Sequence, residues 1–248
     1  MKKSTQTWLF FIVALLPTSL LGETYSSPCR NHPPYLYFVD GTCHGVLPEL
    51  LEDILSELGH DISWLEAPWS RSYREAQKGN VDILIRHSMN PSREPFLLPI
   101  TYGHDVRNLS FYLSPTFNGD ITSYKDLAKV NIGAIRGAYY SSDFSNLDPI
   151  GLTLVGNTEQ LVAMLELGRV DVVVASETQW KDQFEGRFEK ATFIDSFINF
   201  YYISIAKNSK ALSIYDDVAR VMLEYRKSGK VDQYFKNYAV TPPKQNFE

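Results

Sequence analysis

Two stretches of this chain follow one grammar: Gly79-Asn80-Val81-Asp82-Ile83-Leu84-Ile85 and, 89 residues further on, Gly168-Arg169-Val170-Asp171-Val172-Val173-Val174. An amphipathic helical pattern precedes each, so the glycine stands where a helix ends in left-handed backbone and the apolar run stands where a strand begins. The runs lack polar alternation, which predicts strands covered on both faces, as in a parallel sheet flanked by helices. A turn of this kind built twice predicts an α/β chain with two lobes of similar build. The third occurrence, Gly229-Lys230-Val231-Asp232, leads into a helical pattern, so the four letters alone do not specify a strand.

Apolar periodicity extends the pattern around both copies. The first unit reads as strand 35–39, helix 47–58, strand 62–65, helix 70–78 and strand 81–85. The second reads as strand 131–135, helix 158–167, strand 170–174, helix 178–184 and strand 192–194. Two strand-like runs, 109–113 and 201–205, read as crossings between the units, and helices 214–226 and 231–238 close the chain. This divides it into lobe one, 23–113 with 201–248, and lobe two, 114–200, with two crossings that form a hinge. Open α/β sheets bind ligands at the carboxyl ends of their strands. Asp82 and Asp171 stand at the opposite ends and read as structural. The segments that leave those strands, Arg86-His87-Ser88 and Ala175-Ser176-Glu177, are expected to face a cleft.

Lys2 and Lys3 precede an unbroken apolar stretch, 8–16, followed by Pro17, Thr18, Ser19 and the small Gly22. That is the order of a secretory signal peptide, too short to span a bilayer, with cleavage expected after Gly22 and no cysteine at the junction to take a lipid. The 24 basic and 29 acidic residues give a formal charge of −5, and loss of Lys2 and Lys3 with the leader makes it −7, which argues against nucleic acid as a partner. Cys29 and Cys43 lie in the exported part and are expected to pair in an oxidising compartment. The bond would tie the first strand to a nearby hairpin tip; two unpaired thiols are the alternative, because spacing does not show that the side chains face each other. His32, His44, His60, His87 and His104 show no ligand spacing, so no metal is expected.

Several short segments come in a characteristic order. Pro33-Pro34-Tyr35 with Gly45 opens the series, and the strand at 81–85 is followed by Asn90-Pro91-Ser92-Arg93. Tyr124-Lys125-Asp126-Leu127 then leads into Ile132-Gly133-Ala134-Ile135-Arg136-Gly137, and Gly168-Arg169-Val170-Asp171 and the terminal Gly229-Lys230 helix complete the set. Over its whole exported length the chain resembles extracellular solute-binding proteins of family 3, the binding components of polar amino acid ABC transporters. The resemblance implies a two-lobed periplasmic-binding-protein-like α/β fold of type II, each lobe a mostly parallel sheet with flanking helices. It also implies a periplasmic monomer without cofactor or enzyme activity. Such a protein holds a small polar solute, an amino acid or related carboxylate, between its lobes and delivers it to a membrane permease.

By the same resemblance Arg93 grips the ligand's carboxylate, with Ser88 assisting. A planar guanidinium offers two parallel charge-assisted bonds, which lysine does not. Lobe two is expected to present a helix N-terminus through Gly137-Ala138-Tyr139, where free N–H groups favour an anion, with Arg136 either a second positive group or a surface charge. Tyr35 and Trp69 either stack on the ligand or pack in the core; Tyr37 reads as core, and Arg71 as a second ligand-side cation or a solvent-facing one. Where the family usually places an aspartate for the ligand's ammonium, this chain has Ser176 with Glu177 beside it, so a ligand without an α-amino group fits as well. Two other functions share the fold: a cleft enzyme of the cyclohexadienyl dehydratase type, with Glu177 as its acid or base, and a sensory partner of a membrane receptor.

Overall fold

The computed structural model describes residues 22–177 and 181–246, so the expected leader, apart from Gly22, and the start of the helix expected at 178 lie outside the described residues. The chain begins with strand β1 (Thr24–Cys29), a hairpin of β2 (Tyr37–Val39) and β3 (Thr42–His44), helix α1 (Val46–Glu57), strand β4 (Asp61–Glu66), helix α2 (Trp69–Gln77) and strand β5 (Ile83–His87). A 17-residue strand, β6 (Leu97–Leu113), follows. Next come α3 (Tyr124–Leu127), β7 (Asn131–Ile135), α4 (Ser142–Ser145), β8 (Gly151–Val155), α5 (Thr158–Glu166), β9 (Val172–Ser176) and α6 (Lys181–Phe184). A second 17-residue strand, β10 (Lys190–Ala206), then leads to a short 3-10 turn and helices α7 (Tyr215–Lys227) and α8 (Lys230–Asn237).

The pairings β1 with β4, and β7 with β8 and β9, are parallel. Apart from the β2–β3 hairpin, every antiparallel pairing involves β6 or β10, which join the lobes through one six-stranded sheet of order β5-β10-β6-β9-β7-β8. The first core gathers Leu47, Leu50, Leu51 and Ile54 of α1, Ile83 and Ile85 of β5, and Val218, Val221 and Phe235 of α7 and α8. Leu50, Leu51 and Ile54 recur at helical spacing, and full burial of each contributes roughly 1.5–3 kcal/mol relative to exposure. The second lobe packs Leu109, Phe111 and Leu113 of β6 with Ile132, Val172 and Val174, and Leu161, Leu165 and Val173 on the other sheet face. Ile100 and Tyr102 of β6 belong to the first core. The change of core therefore falls inside β6, before Leu109, and not at the expected position 114.

The repeated segment serves the same purpose in both lobes. Gly79 and Gly168 adopt φ of 77° and 62° just past α2 and α5, where a side chain would be strained. Asp82 then accepts bonds from the Ser26 N–H (2.8 Å) and hydroxyl (2.8 Å), fastening β5 to β1. Asp171 accepts from the Asn131 N–H (2.7 Å) and Nδ2 (3.0 Å), fastening β9 to β7. Gly229, at φ 76°, closes α7 in the same way.

Strands β1 and β8 have no counterpart in the sequence expectation, and the strand expected at 35–39 shortens to the β2 arm of a hairpin. Cys29 and Cys43 form a disulfide, Cα–Cα 5.9 Å, that ties the end of β1 to β3. Closing a 14-residue separation stabilises by about 3 kcal/mol in the chain-entropy model. The double variant Cys29→Ser/Cys43→Ser should therefore lose about 3 kcal/mol in urea unfolding followed by far-UV circular dichroism; an unchanged midpoint would contradict this.

Candidate functional site

The carboxyl ends of β1 and β5, the start of α2 and the turn after β7 surround a cleft of about 410 Å³, within the usual range of small-molecule sites. Five arginines line it: Arg30, Arg86, Arg93, Arg107 and Arg136. Arg30 follows β1 directly, and its Nη1 and Nη2 donate to the main-chain oxygens of Ile85 (3.3 Å) and Arg86. Arg86 has φ 54°, a left-handed conformation costly for a residue with a Cβ. Its guanidinium lies 3.4 Å from the Tyr35 ring centroid, and its Nη2 is 3.0 Å from His32 Nε2.

Arg93 is buried, at 5% exposure. It donates to the Ser88 carbonyl and, across the cleft, to the Gly137 carbonyl at 3.4 Å. Trp69 lies over both Arg93 (4.8 Å) and Arg30 (5.3 Å), so one indole face steadies two guanidiniums. Arg107, on β6, donates from Nε to Ser176 Oγ and from Nη1 to the Tyr139 carbonyl, both at 3.0 Å. Burial, with Arg86 and Arg93 close by, pulls Arg30 down to about 10; burial does the same to Arg93. His87 stacks against Trp69 at 5.6 Å, and its Nδ1 lies 3.1 Å from the Ser88 carbonyl oxygen.

Several expected site residues meet here: Arg93, Ser88, Trp69, Gly137, Ala138 and Tyr139 all line the cleft, as does Arg136, whose Nη2 donates to the Leu154 carbonyl at 2.9 Å. Three do not. Tyr35 does not line the cleft but lies behind two residues that do, under the Arg86 guanidinium and stacked on His32 at 5.5 Å. Ser176 is wholly buried, engaged by Arg107. Glu177 turns to Asn108 (3.0 Å), Ser110 (2.9 Å) and Lys190 (2.7 Å), and the Lys190 bond foremost holds its carboxyl down to about 2. Arg71 lines a different surface hollow, beside Glu66 and Glu75. The helix expected after Tyr139 is α4, a single turn capped by Ser141, so lobe two offers the main chain of a turn in place of a long helix dipole.

Arg30 and Arg107 were not legible as site residues. Arg30 obeys the rule that ligands meet the carboxyl ends of strands, and recognising β1 would have found it. Arg107 lies inside a long crossing strand and carries no such signal.

No protein-family profile matches the chain, and no curated protein matches its sequence. Solved structures do match, and they show the fold, which is two-lobed and periplasmic-binding-protein-like. One is the amino acid ABC transporter substrate-binding protein AbpA from Streptococcus pneumoniae bound to L-arginine, at TM-score 0.61 and 19% identity, with 88% of this chain and 94% of that one covered. A second is a histidine kinase sensor domain with similarity to periplasmic binding proteins, at TM-score 0.64 and 15% identity, covering 89% and 98%. A third is the ancestral amino acid-binding protein AncCDT-1, a precursor of cyclohexadienyl dehydratase, at TM-score 0.62 and 16% identity, covering 88% and 95%.

Burial before all else depresses His87 to about 3. Its unfolded counterpart takes a proton near 6.5, so the unfolded state gains protons first and stability falls as pH drops from about 6.5 towards 3, by about 1.4 kcal/mol per unit at most. Urea midpoints between pH 7.5 and 4.5 should fall more steeply for the unsubstituted protein than for His87→Gln. Parallel profiles would show that His87 is not the group responsible.

Proposed function

We propose that this chain is an exported solute-binding protein that captures a small carboxylate-bearing solute between its lobes and presents the closed form to an ABC transporter permease. The observation that carries this reading is Arg93. It is buried under Trp69 and bonded to main-chain carbonyls of both lobes, so a carboxylate at this point touches both sides of the cleft at once. Lobe one, up to the middle of β6 and again from the middle of β10 onward, would hold the solute; lobe two, the stretch between, would close over it by bending of β6 and β10. Closure then depends on the differential affinity of the solute for the closed form. The leader expected over 1–22 supports a periplasmic location, and AbpA supports transport as the purpose.

The enzyme alternative draws on AncCDT-1 but needs a carboxyl with a raised pKa. Glu177 has the opposite, held ionised by Lys190, and points away from the cleft. Sensing would use the same closed form, and the sensor-domain neighbour supports no more than that.

A thermal-shift screen of organic acids and amino acids tests the reading. A solute at 100 times its dissociation constant should stabilise by about 2.7 kcal/mol, a rise of roughly 5–10 °C for a chain of this size. Arg93→Ala should remove that rise. Small-angle scattering should show a smaller radius of gyration with the same solute; an unchanged radius together with a silent screen would contradict solute capture.

A further inference from the structure

The charge balance of the cleft restricts the solute beyond its carboxylate. Five guanidiniums open onto one cavity, and among the described residues that line it there is no Asp or Glu. Neutral groups hold four of them: Arg30 bonds to two carbonyls, Arg86 meets an imidazole and a phenol ring, Arg93 bonds to two carbonyls, and Arg136 bonds to one. None of these four takes part in any of the seven ion pairs found among the described residues. Gathering like charges away from water is unfavourable unless opposite charge joins them. Burial also keeps His32 and His87 uncharged at neutral pH, so both present polar nitrogens without adding repulsion.

Among the described lining residues an ammonium has no carboxylate to meet. Ser176, at the end of β9, is buried on Arg107, and the Glu177 carboxylate is taken by Lys190. A cationic side chain would share the cavity with five guanidiniums. We propose that the cleft takes a small compound with at least two anionic groups and no ammonium, such as a di- or tricarboxylate or a phosphate monoester. One anionic group would lie at Arg93 and the turn at Gly137, the other at the Arg30–Arg86 pair on the ends of β1 and β5. This rests on the solute-binding reading and deepens it.

Titration calorimetry on the chain from residue 23 onward tests it with citrate, succinate and glycerol 3-phosphate against L-glutamine, L-arginine and acetate. At least one of the first three should bind about 100-fold tighter than any of the second three, and raising salt from about 50 to about 500 mM should weaken it markedly. Arg30→Gln and Arg86→Gln should each weaken that probe by about 10-fold or more. Arg86→Lys, which keeps the charge but not the fork, should lose less; circular dichroism confirms that each variant folds. Citrate and phosphate ester separate the two anion chemistries. L-Glutamine or L-arginine binding as tightly as every polyanion would overturn this inference and leave solute capture standing. Silence from all six probes would count against both.

Discussion

The pairing of β6 with β10 sets the relation between the lobes. Each strand serves both cores: Tyr102 and Ile203 pack in the first, Phe111 and Ala191 in the second. A ladder of this length fixes register, and with it which residues of the ribbon face the cleft. Between the two cores one face of the ribbon is open, since Val106 and Ile198, paired in register, are 55% and 59% exposed, while Arg107 and Asn199 on the other face are buried. The register also shifts between Tyr201 and Tyr202, opposite 101–103. Shifts of this kind bend and twist a strand locally, and this one lies at the first core's edge of the ribbon. Arg107, which lines the cleft, comes from the ribbon between the cores, and Tyr201, which also lines it, from the edge of the first core.

Strand ends make the chemistry of the cleft. Main-chain carbonyls at the carboxyl end of β5 and just beyond, those of Ile85, Arg86 and Ser88, accept from Arg30 and Arg93. Aromatic faces of Tyr35 and Trp69 support Arg86, Arg30 and Arg93 from the other side. Such partners orient a guanidinium without cancelling its charge, so orientation is largely set before an anion arrives. The left-handed backbone at Arg86 costs about 1–2 kcal/mol and fits the pattern of strain held where a site needs it.

Periodicity made the alternation of helices and strands legible because core-facing residues in α1, α5, β5 and β9 are large and apolar. β1 was not legible for the opposite reason: Thr-Tyr-Ser-Ser-Pro-Cys packs small and polar groups, including the buried Ser27, and is specified by its partners β4 and Asp82. β8 lies at the sheet edge with Leu152 and Leu154 48% and 40% exposed, so no core pattern marks it. The positions of Ser88, Arg93 and the 137–139 turn followed from motif order. The fate of Ser176 and Glu177 did not, because their partners Arg107 and Lys190 lie on strands distant in sequence.

The paired Gly-x-Val-Asp turns give the two lobes one construction and two different contributions. In lobe one the segment leaving β5 carries Arg86 and Ser88 into the cleft, and the chain beyond brings Arg93. In lobe two the segment leaving β9 brings no charged group there, since β6 and β10 engage its serine and its glutamate. On the proposed reading, lobe two would meet a solute with Arg136, the main chain around Gly137 and Tyr139. A main-chain turn discriminates little among anionic oxygens, whereas under the proposed reading the spacing of Arg30, Arg86 and Arg93 would select for the number and separation of charges. On the proposed reading, selectivity would belong to lobe one and closure to lobe two.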